Sequence, residues 1–203
     1  MMRDDAPPLI LASGSATRRA LLERAGLRFA VKVPRVDEAA LKEGAQAEGL
    51  TAGEAAILLA DAKAARIARR HPDAVVLGAD QILVCEGRWF DKPEGMDGAR
   101  AHLRALRGRA HDLATAVVAW RGEARLWHHL ATPRLTMREV RDEALDALLA
   151  LEGEAVLGSV GAYRYEGPGV HLFRAVQGEH AAILGLPLLP LLAWLRDFGV
   201  VLR

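Results

Sequence analysis

The sequence predicts a mixed α/β fold, in which parallel and antiparallel strands form one sheet covered by helices. Helix-like and strand-like segments alternate along the 203 residues, which is typical of an α/β protein. Two pairs of strand-like segments are separated only by short turns, at residues 86–88 and 121–123, which indicates antiparallel hairpins within the sheet. The chain contains no repeat or linker, and its length suffices for one large or one two-lobed domain.

The first quarter of the chain is predicted to be strand, helix, strand and loop. Residues 10–12 are apolar, and the helical pattern that follows them ends at Gly26. Residues 27–33 alternate and stop at Pro34, which predicts a second strand. Residues 35–50 are polar without a firm period, so we expect a loop that contains at most one helical turn.

The middle of the chain carries the clearest signals. Thr51 and Glu54 have the spacing of a capping box and begin an Ala-rich helix that extends to about Arg70. Residues 74–85 are the most strand-like run, and their apolar character predicts a central strand covered on both faces. A helix then ends at Gly108, and two long strands are expected at 111–120 and 124–137.

The last third is predicted to be a helix, a shaped loop, a strand and a final apolar helix. The helix at 138–152 places Leu145, Leu148 and Leu149 on one face, and Gly153 ends it. A loop rich in glycine and tyrosine occupies residues 158–169, before a strand at 170–176. The final apolar segment is too short for a membrane span, so we expect a buried helix there.

Composition narrows the class of protein. The formal net charge is +1, which disfavours a nucleic-acid binder and means that any anion site arises from local placement of Arg and Lys. Cys85 is the single cysteine, which excludes an intramolecular disulfide and is compatible with a reducing compartment. The first residues do not resemble a signal peptide. We therefore expect a cytoplasmic protein without membrane or nucleic-acid partners.

The junction at residues 13–19 is a candidate phosphate site. Ser13 and Ser15 offer hydroxyl donors, and the helix that follows presents unpaired N–H groups and a positive dipole end. Arg18 or Arg19 can then bind phosphate oxygens. The alternative is an ordinary serine cap followed by two solvated arginines.

Carboxylates and lysines elsewhere complete a possible nucleotide site. Asp80 interrupts an apolar strand, where a carboxylate is costly unless it is paired, protonated or bound to metal; it could also cap the end of that strand. Glu38 follows Asp37, and such oxygens suit Mg²⁺ or Mn²⁺, although a solvated acidic loop is the commoner case. Lys63 and Lys92 can each meet a polyphosphate, but lone lysines are usually solvated.

The glycine-rich loop is a candidate base-recognition segment. Tyr163, Tyr165 and Glu166 can stack on a base and hydrogen-bond to it, or the aromatic rings can simply pack on the core. Adjacent histidines at 128 and 129 point to opposite faces of a strand, which argues against a histidine metal site.

The order of these motifs resembles the Maf (septum-formation) family of nucleoside triphosphate pyrophosphatases. The blocks are LASGSATRR, VPRVDE, GADQ, DKP, GRAH, GSVGAYRYEGPG and ILGLP, and they extend over nearly the whole chain. The resemblance implies one two-lobed domain over residues 1–203, with a curved mixed sheet, flanking helices and a deep cleft of the inosine-triphosphatase-like type. It also implies release of pyrophosphate from a nucleoside triphosphate with a divalent metal (Mg²⁺ or Mn²⁺), and a homodimer.

The resemblance also implies roles for individual residues. Ser13, Ser15, Arg18 and Arg19 lie in the block that matches the phosphate-binding segment, and Lys63 and Lys92 match the cleft lysines. Glu38 matches the acidic residue associated with metal, and Asp80 the proposed catalytic aspartate. Which of these two carboxylates holds metal and which acts as the base is left open.

Two positions resemble the 7-methyl-GTP branch of the family more than the dTTP/UTP branch. Gln81 follows Asp80, and Glu166 stands where the pyrimidine branch typically has Gln; a carboxylate can accept hydrogen bonds from guanine and attract a cationic ring. Asp91 and Glu179 depart from the family pattern. A dTTP/UTP pyrophosphatase, or a nucleotide-binding cell-division regulator without turnover, is the alternative.

Overall fold

The computed structural model describes residues 2–202 and contains a mixed sheet flanked by helices, so the predicted fold class is confirmed. The strands are β1 (Leu9–Ala12), β2 (Ala30–Val31), β3 (Val75–Cys85), β4 (Arg88–Phe90), β5 (Ala110–Arg121), β6 (Ala124–Ala131), β7 (Arg134–Met137) and β8 (Phe173–Gln177). The helices are α1 (Ala16–Arg24), α2 (Glu38–Ala47), α3 (Ala52–Ala68), α4 (Gly95–Leu106), α5 (Asp142–Glu152), α6 (His180–Ile183) and α7 (Leu188–Asp197).

The sheet has the order β2–β1–β3–β5–β7–β8, with β4 paired to β3 and β6 paired to β5. Strand β1 is parallel to both β2 and β3, and its register places Leu9 opposite Val75 and Ala12 opposite Gly78. The pairs β3–β4, β5–β6, β5–β7 and β7–β8 are antiparallel. The β1–α1 junction therefore leaves the sheet beside the middle of β3, where Asp80 lies.

The chain divides into two compact units. Unit 1 contains the chain up to Asp80, residues 115–131 and the chain from His180 onward. Its core packs β1 and β3 against α1 and α7, with fully buried residues such as Leu11, Leu22, Leu77 and Leu191. Unit 2 contains residues 81–114 and 132–179, and it buries leucines of α4 and α5. The prediction that the chain forms a single two-lobed domain stays a prediction.

The prediction of a loop at residues 35–50 is wrong, because this segment contains the ten-residue helix α2. Asp37 caps this helix by accepting a hydrogen bond from the backbone N–H of Ala40 at 3.0 Å. Only Ala45 of α2 is buried, and Leu41 is the single large apolar residue of the helix, so few strongly apolar side chains mark its period. Glu38, expected on a loop, is the first residue of this helix.

Other boundaries also differ from the prediction. The strand expected at 170–176 is β8 at Phe173–Gln177, because Pro168–Leu172 form a short 3₁₀ helix. The second strand is only Ala30–Val31, and the strand expected at 124–137 is divided before Pro133 into β6 and β7. The final helix is divided at residues 184–187 into α6 and α7, because Pro187 lacks the N–H that a continuous helix needs. Among residues 2–202, no helix is long and apolar enough to cross a membrane.

Candidate active site

Two serines shape the turn between β1 and α1. Ser15 is the N-cap of α1, and its Oγ accepts a hydrogen bond from the backbone N–H of Arg18 at 3.3 Å. The Oγ of the buried Ser13 accepts from the N–H of Ser15 at 3.2 Å. The serine cap is thus present, and it leaves the positive end of α1 at the same turn as the two hydroxyls.

Arg18 is fixed by a segment remote in sequence. Its Nε donates to the carbonyl oxygen of Gly185 at 2.7 Å, and its Nη1 donates to Ser13 Oγ at 3.4 Å. Gly185 has φ +96°, and a Cβ there would lie 3.2 Å from Arg18 Nε, so both the conformation and the close approach favour glycine. Burial lowers the pKa of the Arg18 guanidinium, while the charges of Asp80 and Glu38 raise it.

Lys63 stands between two carboxylates. Its Nζ lies 2.6 Å from Asp80 Oδ1 and 2.9 Å from Glu38 Oε2. The side chains of Lys63 and Asp80 are only 8% and 10% exposed, whereas that of Glu38 is 57% exposed. An unpaired carboxylate in a buried strand is costly, and the ammonium group of α3 offsets that cost for Asp80.

These contacts place two carboxylates and two cations in unit 1. Arg18 experiences the charges of both Asp80 and Glu38, and Lys63 contacts both of them directly. The carboxylate oxygens already converge on one cation, and oxygen donors are the ligands that Mg²⁺ and Mn²⁺ prefer. Glu38 and Asp80 are thus the two carboxylates that could contribute ligands to a divalent metal, although within residues 2–202 no group of three or more His, Cys, Asp or Glu side chains forms a metal site. The metal-binding role of these two residues stays a prediction.

Arg19 lies apart from this cluster within unit 1, and the other predicted residues belong to unit 2. Arg19 lies on the exposed side of α1, where its Nε donates to Glu23 at 2.7 Å. Gln81, Lys92 and Glu166 belong to unit 2, in β3, after β4 and in the glycine-rich loop respectively. Lys92 and Glu166 are exposed, and Gln81 is partly buried. Their predicted contacts with substrate stay predictions.

Comparison with known proteins assigns the family. Residues 8–198 match the family model described as Maf-like protein, and this span includes every residue of the cluster. The chain belongs to the Maf family. A protein of Granulibacter bethesdensis named nucleoside triphosphate pyrophosphatase is 54% identical over 189 residues, which cover 93% of this chain and 96% of that protein.

Other Maf relatives carry two different names. A Rhodospirillum rubrum protein named nucleoside triphosphate pyrophosphatase is 48% identical over 97% of both chains. A Rhizobium meliloti protein named 7-methyl-GTP pyrophosphatase is 45% identical and covers 96% of this chain and 98% of its own. Similarity of this extent spans both units and the full set of predicted site residues.

The sequence interpretation missed the backbone carbonyl that orients Arg18 and a buried carboxylate of unit 2. The Gly185 carbonyl was hidden in an apolar segment, where only the glycine before Leu-Pro marks a break in the helix. Tyr163, for which the sequence left base stacking and core packing open, is buried in unit 2: its hydroxyl lies 2.8 Å from His111 Nε2, and burial raises the pKa of its phenol. The buried Glu152, at the end of α5, has no sequence signal that distinguishes it from a solvated helix terminus.

Proposed function

We propose that this Maf protein is a nucleoside triphosphate pyrophosphatase, which hydrolyses its substrate at the α-phosphorus to the monophosphate and pyrophosphate. The observation that carries the proposal is the buried Asp80, which pairs with Lys63 beside Glu38 and Arg18. Relatives up to 54% identical bear this activity in their names. A pure binding protein has no need of a buried carboxylate beside a second carboxylate and two cations.

The β1–α1 turn supplies phosphate binding in this proposal. Arg18 is already oriented by Gly185 and Ser13, so its Nη2 amino group, which takes no part in either bond, can meet a phosphate oxygen with little loss of rotamer freedom. The N-terminus of α1 and the hydroxyls of Ser13 and Ser15 add donors at the same turn. Arg19 and Lys92 stay secondary candidates for the outer phosphates.

Asp80 supplies the base or metal ligand that orients the attacking water. The water oxygen forms a bond to the α-phosphorus, its proton passes to a carboxylate, and the bond from the α-phosphorus to the bridging oxygen of pyrophosphate breaks. Lys63 and Arg18 then stabilise the negative charge that develops on the phosphates. No covalent intermediate with the protein is needed.

A divalent metal fits the carboxylates of this site. Glu38 and Asp80 would hold Mg²⁺ or Mn²⁺. A bound metal ion would lower the pKa of a coordinated water and offset the negative charge of the phosphates. Lys63 would then exchange part of its contact with these carboxylates for contact with the substrate, since its flexible stem allows Nζ to move.

Glu166 and Gln81 are the residues that we propose read the base. A carboxylate can accept hydrogen bonds from the N1–H and amino group of guanine, and it attracts the positive charge of a 7-methylated ring. Relatives that are 45% identical are named 7-methyl-GTP pyrophosphatase. We therefore propose 7-methyl-GTP as the preferred member of the class, with dTTP or UTP as the alternative.

The proposal is tested by pyrophosphate release with Mg²⁺ or Mn²⁺ from 7-methyl-GTP, GTP, dTTP, UTP and CTP. Asp80→Asn preserves shape and removes the charge, so we expect kcat to fall by at least about 100-fold. Asp73→Asn makes the same chemical change at an exposed residue before β3, and it should leave kcat unchanged.

Each outcome of this experiment has a clear meaning. Absence of turnover on every triphosphate would contradict the enzyme proposal and would favour the regulator without turnover. Turnover that survives Asp80→Asn would leave the activity intact but remove Asp80 from its mechanism. Faster turnover of dTTP or UTP would assign the chain to the pyrimidine alternative.

We also propose a cytoplasmic homodimer. The single, buried thiol of Cys85 is compatible with a reducing compartment, and the dimer follows only from the family resemblance. Light scattering coupled to size-exclusion chromatography, at several protein concentrations, measures the mass that decides between monomer and dimer.

A further inference from the structure

Glu152 is a buried carboxylate that the proposed mechanism does not use. It ends α5, and its side chain is only 2% exposed. Its Oε2 lies 3.2 Å from Arg164 Nη1, and its Oε1 accepts a hydrogen bond from the backbone N–H of Gly169 at 3.2 Å. One carboxylate therefore holds residues at both ends of the segment 164–169, which contains Glu166.

Arg164 lies between two carboxylates of unequal burial. Its Nη1 is hydrogen-bonded to Glu152, whereas its Nε is 3.8 Å from Oε1 of Glu166, which is longer than a hydrogen bond. A single guanidinium cannot neutralise two carboxylates, and the less solvated pair has the stronger interaction because screening is weaker there. Glu166 consequently accepts no hydrogen bond from Arg164 at this distance, and its oxygens keep their acceptor capacity.

We infer that Glu152 is a positioning residue that sets base preference: it holds the Arg164 guanidinium beyond hydrogen-bond distance of Glu166, so that the Glu166 oxygens can accept a cationic or amino-bearing base. This inference rests on the proposed function, and it adds the contact that keeps the oxygens of the recognition carboxylate available to the base. Without the negative charge of Glu152, Arg164 would pair fully with Glu166 and compete with the base.

The test is a comparison of kcat/KM for 7-methyl-GTP and for UTP in four proteins. Glu152→Gln keeps the side-chain volume and an oxygen for the Gly169 N–H but loses the charge that binds Arg164. We expect the ratio of the two kcat/KM values to fall by about tenfold, through a higher KM for 7-methyl-GTP, because one charge-assisted interaction is lost. The kcat on UTP should change less than about twofold, because the groups of unit 1 are untouched.

Two further variants separate this role from a merely structural one. Glu154→Gln alters an exposed carboxylate two residues away, and it should leave the ratio at the wild-type value. Glu152→Gln combined with Arg164→Gln removes both charges, so no cation competes for Glu166 and the ratio should return to within about threefold of wild type. A loss of loop structure alone would instead lower the ratio further in the double variant.

The outcomes distinguish this inference from the proposed function. Absence of wild-type turnover overturns the proposed function and this inference with it. Wild-type turnover with an unchanged ratio in Glu152→Gln, or a double variant that does not recover, overturns the inference alone. If thermal unfolding shows that Glu152→Gln is not folded, the double variant decides. A ratio of the two kcat/KM values near that of wild type supports the inference, and a lower ratio overturns it.

Discussion

Arg18 is oriented before any substrate arrives, since Gly185 and Ser13 hold two of its nitrogens. Only a branched, planar cation can satisfy such partners and still present a free amino group in a defined direction. The ammonium group of a lysine lacks the several planar N–H donors that bind two partners and a phosphate at once. The proposed role of Arg18 therefore depends on the direction of its N–H donors as well as on its positive charge.

Arg18→Lys should lower kcat/KM for nucleoside triphosphates by roughly 10- to 100-fold, because it preserves charge but loses the oriented hydrogen bonds. Steady-state pyrophosphate release measures the effect. Arg24→Lys, an exposed change in the last turn of the same helix, is the matched control and should have no effect. Equal activity of Arg18→Lys and wild type would contradict the role of Arg18.

Asp80 could be singled out from the sequence, because a carboxylate inside an apolar strand requires a partner. Lys63 could be named as a candidate, but its pairing with Asp80 could not be predicted, since only folding brings its Nζ to Asp80 and Glu38. Backbone groups are less visible still. The Gly185 carbonyl has no side-chain signature, so the group that aims Arg18 emerged only from the structure.

Helix α3 packs directly on β3, and Gly78 makes this contact possible. A Cβ at residue 78 would overlap the carbonyl oxygen of Ala60 and lie 2.9 Å from Ala64 Cβ. The close approach fixes the distance between the helix that carries Lys63 and the strand that carries Asp80. The small alanine side chains of α3 thus allow the helix to approach β3 closely, in addition to favouring the helical conformation.

Gly78→Ala should lower the free energy of unfolding by about 1–3 kcal/mol, because backbone and Cβ atoms must separate to admit a methyl group. Gly44→Ala, in the exposed middle of α2 with open space around it, should raise the same quantity by about 0.5–1 kcal/mol. Urea denaturation measures both. A stabilising effect of Gly78→Ala would contradict the packing of α3 on β3.

Helices α4 and α5 are joined by ion pairs centred on Asp142. Its carboxylate accepts hydrogen bonds from Arg104 and from Arg107 Nη1, the latter at 2.9 Å, and the hydrogen bond from Arg104 is the main cause of its lowered pKa. A carboxyl group whose pKa is lower in the folded state stabilises the fold above its unfolded pKa of about 3.8. That contribution disappears as pH falls through the folded value.

Asp142→Asn should lower Tm at pH 7, and the difference from wild type should shrink towards acid pH and in 1 M salt. Differential scanning calorimetry in matched buffers measures it. Glu143→Gln, at the neighbouring exposed position, provides the control for loss of one negative charge. A Tm difference independent of both pH and salt would show that charge pairing is not its cause.

At the level of elements, the sequence predicted strands and helices well where apolar periodicity was strong. The capping box of Thr51 and Glu54 is present as expected, with the Glu54 carboxylate accepting from the Thr51 N–H at 2.8 Å. Helix α2 escaped prediction because its apolar residues are four alanines and one leucine, which mark a helical face only weakly. Glu38 lies at the start of α2 because Asp37 caps the helix, and this position could not be predicted from the spacing of apolar residues.

The stability of the whole molecule should depend on pH through His111. This residue is 1% exposed, and burial lowers its pKa to about 4. The unfolded chain binds a proton at His111 near pH 6.5, so stability is full above that value and falls as pH drops towards 4.

Between pH 7 and pH 5, His111 should account for a loss of about 2 kcal/mol in the free energy of unfolding. His111→Gln retains a polar partner for Tyr163 and should reduce the wild-type pH dependence by that amount. Urea denaturation at both pH values measures the difference. The same slope in variant and wild type would show that His111 does not titrate on unfolding.

Unit 1 is assembled from segments that leave the ribosome at widely separated times. Arg18 and Gly185 are 167 positions apart, and the apolar residues of α7 complete the core around β1 and β3. A growing chain therefore carries Ser13, Lys63 and Asp80 long before the segment that orients Arg18 has been translated. Such non-local closure is slow and leaves apolar surface uncovered, so the nascent protein should need chaperone protection until α7, which ends at Asp197, has been translated.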